Sequence, residues 1–461
     1  MSCKEISGRM RLVVLAPAVA LVLAGCGGTP LKIDAMSAQV MRDLDSATAA
    51  PLQNEQGAVR LSQRMGPSVL KAVSGNEAYR AALLREEEAM GGIGVAESAR
   101  FPQLTGNANL GVIREDGGGQ DETTAGGAGG VNLSQLVYDG GESAANVNRA
   151  TAEALAARSE RLARGNELAL QAASAWIDVW QHTERLRRLR ERTSELDTLI
   201  SQIERMATSG MLDRGALDSA RRELVNIRLD ETRLEGDLEE ARVRFGRYFG
   251  ADAAGPVALS ELVTLAQARA EAKSWRQAPA LQRSAAELLV ARSNVAGAEA
   301  AFRPRARLQA GLTSPLEANE STDTSVGLVF EYTFGDGGKR ESQLQSAQAG
   351  LEAAQAQLAD ERSALEADLE SALVRLRALE QSMALVAEKI RLTTSEAETA
   401  RSQIVTGQSS LRLLVDAEIE NFRARDQQVA MRAEALKLQL TVAARTGALG
   451  RVIGLDSEGN L

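Results

Sequence analysis

The sequence predicts a mainly α-helical chain with four β-strands, which would form part of a membrane β-barrel that several copies of the chain complete. Three observations lead to this prediction. Long stretches carry apolar residues every seven positions, four shorter stretches alternate apolar and polar residues, and both recur in the same order in two halves of the chain. Sustained heptads are typical of helices in coiled-coil contact, and alternation is typical of strands with one apolar face.

The N-terminal segment predicts export from the cytoplasm. Basic residues precede a short apolar run that ends in "LAGC", a pattern typical of a secretory signal. The ending resembles the bacterial lipobox, which implies cleavage before Cys26 and a lipid on its thiol. Gly27, where an Asp would imply retention in the inner membrane, implies sorting to the outer membrane. We therefore expect a signal peptide over 1–25 and an N-terminal periplasmic strap over 26–75.

The composition argues against several classes of protein. The chain carries a net charge of −9, and loss of the signal peptide would make it two units more negative, which argues against nucleic-acid binding. His182, the one histidine, has no second His or Cys nearby, so we interpret it as a solvated helix-surface residue and not a metal ligand. The segment "GGAGG" (126–130) lacks the Lys-Ser/Thr of a phosphate-binding loop, so we predict a flexible loop. We predict no enzyme, metal or cofactor.

Glycine landmarks at a constant separation indicate an internal duplication. An Asp-Gly-Gly turn occurs twice, 197 positions apart (336 − 139), as Asp139, Gly140 and Gly141 and as Asp336, Gly337 and Gly338. Two further pairs keep the same offset: Gly210 with Gly407, and Gly250 with Gly447. A constant offset argues for two copies of one unit. The copies are placed at 76–250 and 276–447, with an equatorial linker at 251–275 and a C-terminal tail at 448–461.

Each copy is predicted to contain the same elements in the same order. A helix (76–100 or 279–301) precedes a hairpin of two strands of about 9–11 residues, and in the first copy the Gly-rich segment 115–130 forms the hairpin loop. The Asp-Gly-Gly turn then joins the hairpin to a long helix. About 70 residues of continuous helix, which reach to Gly210 or Gly407, would be about 105 Å long. A shorter helix returns from each of these glycines.

Four strands per chain are too few to close a barrel in a membrane. The smallest known membrane barrels have about eight strands, and open sheet edges are not tolerated in lipid. The barrel must therefore be completed by other copies of the chain. The polar strand residues would then line water: Asn107, Asn109, Asn132, Gln309 and Glu331.

The paired helix tips and turns resemble those of the TolC family of outer-membrane channel proteins. The residues that carry the resemblance are "G-x6-L-D-x-A" from Gly210, "G-x6-L-x-D-A" from Gly407, and "LVYDGG" and "FGDGG" before the long helices. It covers about 76–447 and implies a homotrimer with a 12-stranded barrel in outer-membrane lipid and a helical tunnel in the periplasm. It also implies an exit duct for tripartite export, with a periplasmic adaptor and an ABC or proton-driven inner-membrane transporter as partners. Drug efflux and type I protein secretion both remain open.

The resemblance also implies roles for the helix tips. Asp416 matches a carboxylate that rings the closed tunnel end, with Arg412 and Leu413 beside it, and Leu413 replaces a second family carboxylate. Positions that link helices at the tip in the best-known member are Ile404, Ser409 and Ala216 here, so those links are absent. The adaptor would contact Gly210, Met211, Leu212, Gly407, Gln408, Ser409 and Ser410. The alternative for Asp416 is a solvent-facing aspartate that interacts favourably with the start of its helix.

Two other classes of protein were considered. A coiled-coil structural or scaffolding outer-membrane lipoprotein without channel activity would explain the heptads, but not the alternating strands before each long helix. A periplasmic adaptor would also carry a lipid anchor, but we expect it to contain one helical hairpin rather than two complete copies.

Overall fold

The computed structural model describes residues 32–46, 61, 65–117, 120–208, 214–250, 277–315, 322–405 and 411–455. In chain order its elements are α1 (Ile33–Ser46), α2 (Met65–Ser74), α3 (Glu77–Ser98), β1 (Gln103–Gly117), β2 (Gln120–Tyr138), α4 (Glu142–Thr208), α5 (Arg214–Phe249), α6 (Pro279–Ala300), β3 (Arg305–Pro315), β4 (Asp323–Glu331), α7 (Lys339–Val405), α8 (Leu411–Arg445) and α9 (Ala448–Ile453).

The structure contains the predicted order of elements twice. The order helix, two strands, long helix and return helix is α3-β1-β2-α4-α5 in the first copy and α6-β3-β4-α7-α8 in the second. Both long helices, α4 and α7, have 67 residues. They end at Thr208 and Val405, just before the glycines at which the sequence predicts a turn. The turns themselves, the linker 251–275 and the signal segment lie outside the described residues.

By their contacts, the described residues fall into two compact units. The first lies within 1–48, 84–158 and 282–360 and contains the whole sheet. The second lies within 49–83, 159–281 and 361–461 and is helical in its described part.

The sheet of the first unit is antiparallel, with the strand order β1-β2-β3-β4. β1 and β2 have 15 and 19 residues, longer than predicted, and they pair from Gln103↔Ser134 to Gly117↔Gln120. The prediction of a flexible loop over 126–130, and of a loop over most of 115–130, is therefore wrong. Ladder hydrogen bonds join backbone groups. Glycines can therefore continue a strand when both neighbouring strands pair with it, as β1 and β3 do with Gly129 and Gly130.

The main core of the second unit packs small and large apolar residues from six helices, α2, α3, α4, α5, α8 and α9. α4 contributes three fully buried alanines, Ala169, Ala172 and Ala173. Trp176 lies edge-on against two rings of α5, with ring centroids 5.4 Å from Phe245 and 5.2 Å from Phe249. Alanines allow helix backbones to approach closely, and the aromatic rings of α4 and α5 pack against one another in the same core.

The C-terminal helix α9 is held to α4 by one buried amide. The Asn166 side chain donates to the Leu162 carbonyl at 2.8 Å and accepts from the Gly450 N–H at 2.7 Å. Asn166 is buried, so the Gly450 N–H in the first turn of α9 would lose its acceptor without it. This contact holds the last described helix against the helical core.

Candidate functional site

The four strands share one polar and one apolar face. Directly paired residues of antiparallel strands lie on the same face of a sheet. The register pairs Thr105 with Asn132, Asn132 with Gly311, and Gln309 with Gly327. All five residues predicted to line water therefore share one face: Asn107, Asn109, Asn132, Gln309 and Glu331. The opposite face carries exposed apolar side chains on all four strands: Leu104, Leu110, Val131, Leu133, Leu312, Val326, Leu328 and Phe330.

Glycines on the polar face leave space for side chains of neighbouring strands. A Cβ atom on Gly130 would lie 3.1 Å from Asn107 Oδ1 and 3.3 Å from Thr313 Oγ1. A Cβ atom on Gly311 would lie 3.0 Å from Ser325 Oγ. The glycines therefore allow polar groups of adjacent strands to lie over the backbone between them.

The sheet ends in open edges within the described part of the chain. β1 pairs only with β2 and β4 only with β3, so one side of each outer strand has no ladder partner there. Unpaired strand edges of this length are a template for pairing with another chain.

The first Asp-Gly-Gly turn connects β2 directly to α4. Asp139 is buried and accepts from the backbone N–H groups of Gly141 at 3.0 Å and Ser143 at 2.7 Å, as an N-terminal cap of α4 does. Gly140 and Gly141 have positive φ values of 70° and 101°. The Arg303 guanidinium donates to the Gly140 carbonyl at 2.7 Å, which joins the turn to the entry of β3.

The second Asp-Gly-Gly turn has the same backbone conformation with different surroundings. Gly337 and Gly338 have φ values of 68° and 86°, and Asp336 accepts from the N–H groups of Gly338 and Arg340 at 3.2 Å each. Arg340 also donates through Nε to Asp336 at 2.7 Å. A Cβ atom on Gly337 would meet no atom within 4 Å, whereas one on Gly140 would lie 2.5 Å from Arg303 Cβ. The two turns share a conformation and differ in crowding.

The predicted gate residues lie at the start of α8. Asp416 is exposed and Leu413 is 44% exposed, while Leu414 and Ala417 between and beyond them are buried against α7. The Arg412 side chain, the seven predicted adaptor-contact residues and the lipidation residue Cys26 lie outside the described residues.

Three ion pairs between α4 and α8 are a feature that the sequence analysis missed. They join residues 226 to 259 positions apart: Asp178 with Lys437, Arg185 with Asp426, and Arg192 with Glu418. The α4 members recur every seven residues, so they lie along one stripe of the helix. The heptad spacing of these charges was visible in the sequence, but their partners in the other copy were not.

Two pairs of this set differ in burial. Arg185 is bidentate, with its Nε 2.7 Å from Asp426 Oδ1 and its Nη2 2.9 Å from Asp426 Oδ2. Arg192 is nearly buried, and that burial lowers the pKa of its guanidinium, an effect that Glu418 at 3.1 Å opposes. A bidentate pair adds geometric specificity, and removal of one partner of a buried pair leaves an uncompensated charge.

A cluster of arginines on α4 also perturbs Glu184. Hydrogen bonds from Arg187, and secondarily from Arg188, lower the pKa of Glu184 to about 2. Glu184 therefore stays ionised well below the ordinary range of a glutamate.

The interpretation of His182 as a solvated residue is wrong. The residue is half-buried on α4, and its Nδ1 atom is buried without a hydrogen-bond partner among the described residues. Burial lowers the pKa of His182, while Asp237 of α5 is the main group that raises it. The sequence gave no signal of this environment because burial and two of the neighbouring charges, Asp237 and Lys437, depend on other helices.

Neither metal binding nor a helical membrane span is found where the structure is described. No group of three or more His, Cys, Asp or Glu side chains there could hold a metal ion. No helix of the described ranges is both long and apolar enough to cross a membrane.

Comparison with known proteins identifies similar chains. The chain is 26% identical over 270 residues to the probable outer membrane lipoprotein SilC of Salmonella typhimurium, which covers 57% of this chain and 58% of SilC. It is 25% identical over 347 residues to the outer membrane efflux protein BepC of Brucella suis, which covers 71% of this chain and 73% of BepC. The crystal structure of the outer membrane protein VceC of Vibrio cholerae has the same fold, with a TM-score of 0.74 and 17% identity over 84% of this chain and 96% of VceC.

The family model of outer membrane efflux proteins matches both copies of the repeat, at residues 70–251 and 264–448. These ranges cover well over half of the chain, and the gap between them, 252–263, lies within the predicted linker between the copies. The predicted resemblance to the TolC family and the predicted fold class of long helices with four strands are confirmed. The family consists of channel proteins and not of enzymes. The chain belongs to the outer membrane efflux protein family.

Proposed function

We propose that the protein is the passive exit duct of a tripartite export system. Three copies form a 12-stranded barrel in outer-membrane lipid and a helical tunnel in the periplasm, and a periplasmic adaptor and an inner-membrane transporter open it. The observation that carries the proposal is the sheet, which has one polar face, one exposed apolar face and, among the described residues, two open edges. A sheet of this kind satisfies its backbone groups in lipid only when further strands close it.

The exposure of α7 supports assembly with other copies. The heptad residues Leu344, Leu351 and Leu358 are only partly buried in the single chain, whereas Leu369 and Leu376 further along the helix are buried. No residue from 339 to 360 is buried. A seam of partly exposed leucines on a long helix fits coiled-coil contact with a neighbouring subunit.

Conductance of the purified full-length protein in a planar bilayer tests the proposal. We expect a trimer by mass and stable single-channel currents. Two adjacent cysteine substitutions then identify the lining of the pore: Asn109→Cys on the polar face and Leu110→Cys on the apolar face. A charged, membrane-impermeant thiol reagent should reduce the current through the Asn109→Cys variant and leave the Leu110→Cys variant unchanged.

Three results would contradict the channel proposal. These are a monomer without currents, currents that the reagent leaves unchanged in both variants, and equal block of both. Absence of pores from a correctly folded trimer would favour a coiled-coil scaffolding lipoprotein instead. The wild-type protein treated with the same reagent is the control, because Cys3 lies in the predicted signal peptide and the thiol of Cys26, the other cysteine, is predicted to carry lipid.

Efflux is the favoured export role. BepC is an outer membrane efflux protein by name, and the matched family is described in the same terms. The genes beside the one that encodes this chain test this assignment. A proton-driven pump would support efflux, and an ABC transporter beside a repeat-rich secreted protein would support type I secretion.

A lipid anchor at Cys26 belongs to the same proposal. SilC, named a probable outer membrane lipoprotein, supports it. Labelling of cells with radioactive palmitate should label the wild-type protein and leave the Cys26→Ser variant unlabelled. Label on the variant would contradict lipidation at this residue.

At the far end of the tunnel, we propose that Asp416 from three copies forms a cation-attracting constriction beside Arg412 and Leu413. The exposure of Asp416 at the start of α8 supports this role. The turns at 210–212 and 407–410 would contact the adaptor. The Asp416→Asn variant should lose cation selectivity, measured as the reversal potential across a salt gradient, because like charges that converge attract counterions. An unchanged reversal potential would favour a solvated Asp416.

A further inference from the structure

His182 lies within the stripe of ion pairs between α4 and α8. It follows Asp178 by four residues and precedes Arg185 by three, so it shares a face of α4 with both. Asp178 pairs with Lys437, and Arg185 pairs with Asp426. The imidazole therefore lies between two ion pairs that join α4 of the first copy to α8 of the second.

The groups that face His182 come from three helices. Asp178 and Arg185 are on α4, Asp237 is on α5 and Lys437 is on α8. A neutral imidazole leaves the balance of two acids and two bases undisturbed. An imidazolium would attract Asp237 and Asp178, the partner of Lys437, and would repel Arg185 and Lys437. Its charge therefore acts on both flanking ion pairs at once.

Burial of the imidazole opposes protonation in the folded protein. The Nδ1 atom is buried and makes no hydrogen bond in the part of the chain that the structure describes, so a proton placed there has no acceptor. Burial accordingly lowers the pKa of His182 below its ordinary value. Because the pKa is lowered in the folded protein, the unfolding free energy has its full value above the ordinary histidine pKa of about 6.5. It falls as the pH drops below that value.

We propose that His182 makes the contact between α4 and α8 acid-sensitive, so that protonation of its imidazole at mildly acidic pH loosens the ion pairs on either side of it. This property goes beyond the proposed channel function. Only its consequence, a change of conductance with pH, rests on that function.

Hydrogen exchange of the full-length protein at pH 7.5 and pH 5.5, corrected for the intrinsic effect of pH on exchange, tests the proposal. Peptides that cover 176–190 and 430–440 should lose protection at pH 5.5 in the wild type. With an ordinary histidine pKa of about 6.5, the loss can reach about tenfold if the imidazole stays neutral in the closed state at pH 5.5. Peptides of the sheet are the internal reference and should change little.

Two variants of opposite charge behaviour make the test decisive. His182→Gln cannot be protonated and should show no loss of protection between the two pH values. His182→Lys carries a permanent charge and should show low protection at both. A wild-type pH response in the His182→Gln variant, or wild-type protection at pH 7.5 in the His182→Lys variant, would overturn the proposal. Far-UV circular dichroism confirms that each variant is folded.

Conductance at the same two pH values separates this inference from the proposed function. If the protein forms pores, the pH dependence of their conductance should be lost in the His182→Gln variant. If no pores form, the channel proposal fails, while the exchange data still decide whether the contact is acid-sensitive. Pores with an equal pH response in wild type and variant would contradict a role of His182 in conduction.

Discussion

Alanine in place of Gly140 should destabilise the first strand-to-helix turn more than alanine in place of Gly337 destabilises the second. The two glycines occupy equivalent positions with nearly equal φ values of 70° and 68°. An L-residue in this left-handed region costs about 1–2 kcal/mol at either position. The matched pair therefore removes the backbone cost from the comparison and isolates the effect of crowding.

Crowding is present only at Gly140. A Cβ atom there would lie 2.5 Å from Arg303 Cβ, 2.8 Å from Arg303 Cδ and 3.1 Å from the Ala300 carbonyl oxygen. The closest atom is at the root of the arginine side chain, so rotation of that side chain cannot relieve the contact. Overpacking of this kind adds about 1–3 kcal/mol. We expect a total cost of about 2–5 kcal/mol for Gly140→Ala and about 1–2 kcal/mol for Gly337→Ala.

Native-state hydrogen exchange measures the two costs at the turns themselves. The informative amides are those of Ser143, which donates to Asp139, and of Arg340, which donates to Asp336. The crowding cost of about 1–3 kcal/mol should lower protection in the Gly140→Ala variant by a further factor of about 10 to 100. Equal losses in the two variants, or a larger loss in Gly337→Ala, would refute the reasoning from crowding.

Three further predictions concern the helical unit. In a double-mutant cycle, Arg185→Ala and Asp426→Ala should couple by about 1 kcal/mol in unfolding free energy, because the pair is bidentate and only a quarter exposed; additive costs would contradict this. Asn166→Ala should cost about 1–3 kcal/mol and expose the Gly450 amide to exchange, because that buried N–H loses its acceptor. Glu184→Gln should flatten the fall in melting temperature from pH 4.5 to about 2, because the lowered pKa stabilises the folded state above this range.

Local patterns in the sequence were sufficient for most of the fold. The alternation in β3 and β4 depends on the side-chain period of a strand, which is independent of the rest of the chain. The structure places the predicted polar residues, such as Asn132 and Gln309, on one face of the sheet. The heptads likewise predicted two long helices, and both have 67 residues.

Glycine-rich sequence was the main source of error in the sheet. Local composition favours a loop at 126–130, but the structure pairs these residues in β2. A glycine contributes no side chain to an alternating pattern, so only its backbone partners decide whether it is in a strand. Those partners, β1 and β3, are distant in sequence or belong to the other copy.

The sequence by itself determined the duplication, the two faces of the strands, the lengths of the helices and the two glycine turns, because each depends on local period or on backbone conformation. Only the tertiary structure decided which charges meet. Asp178 and Lys437 are 259 positions apart, and their pairing depends on how α4 and α8 are rotated about their axes when they pack. The same packing buries His182 and crowds Gly140 but leaves Gly337 open. Burial and electrostatic environment are properties of neighbours in space, so residues with the same local sequence acquire different properties.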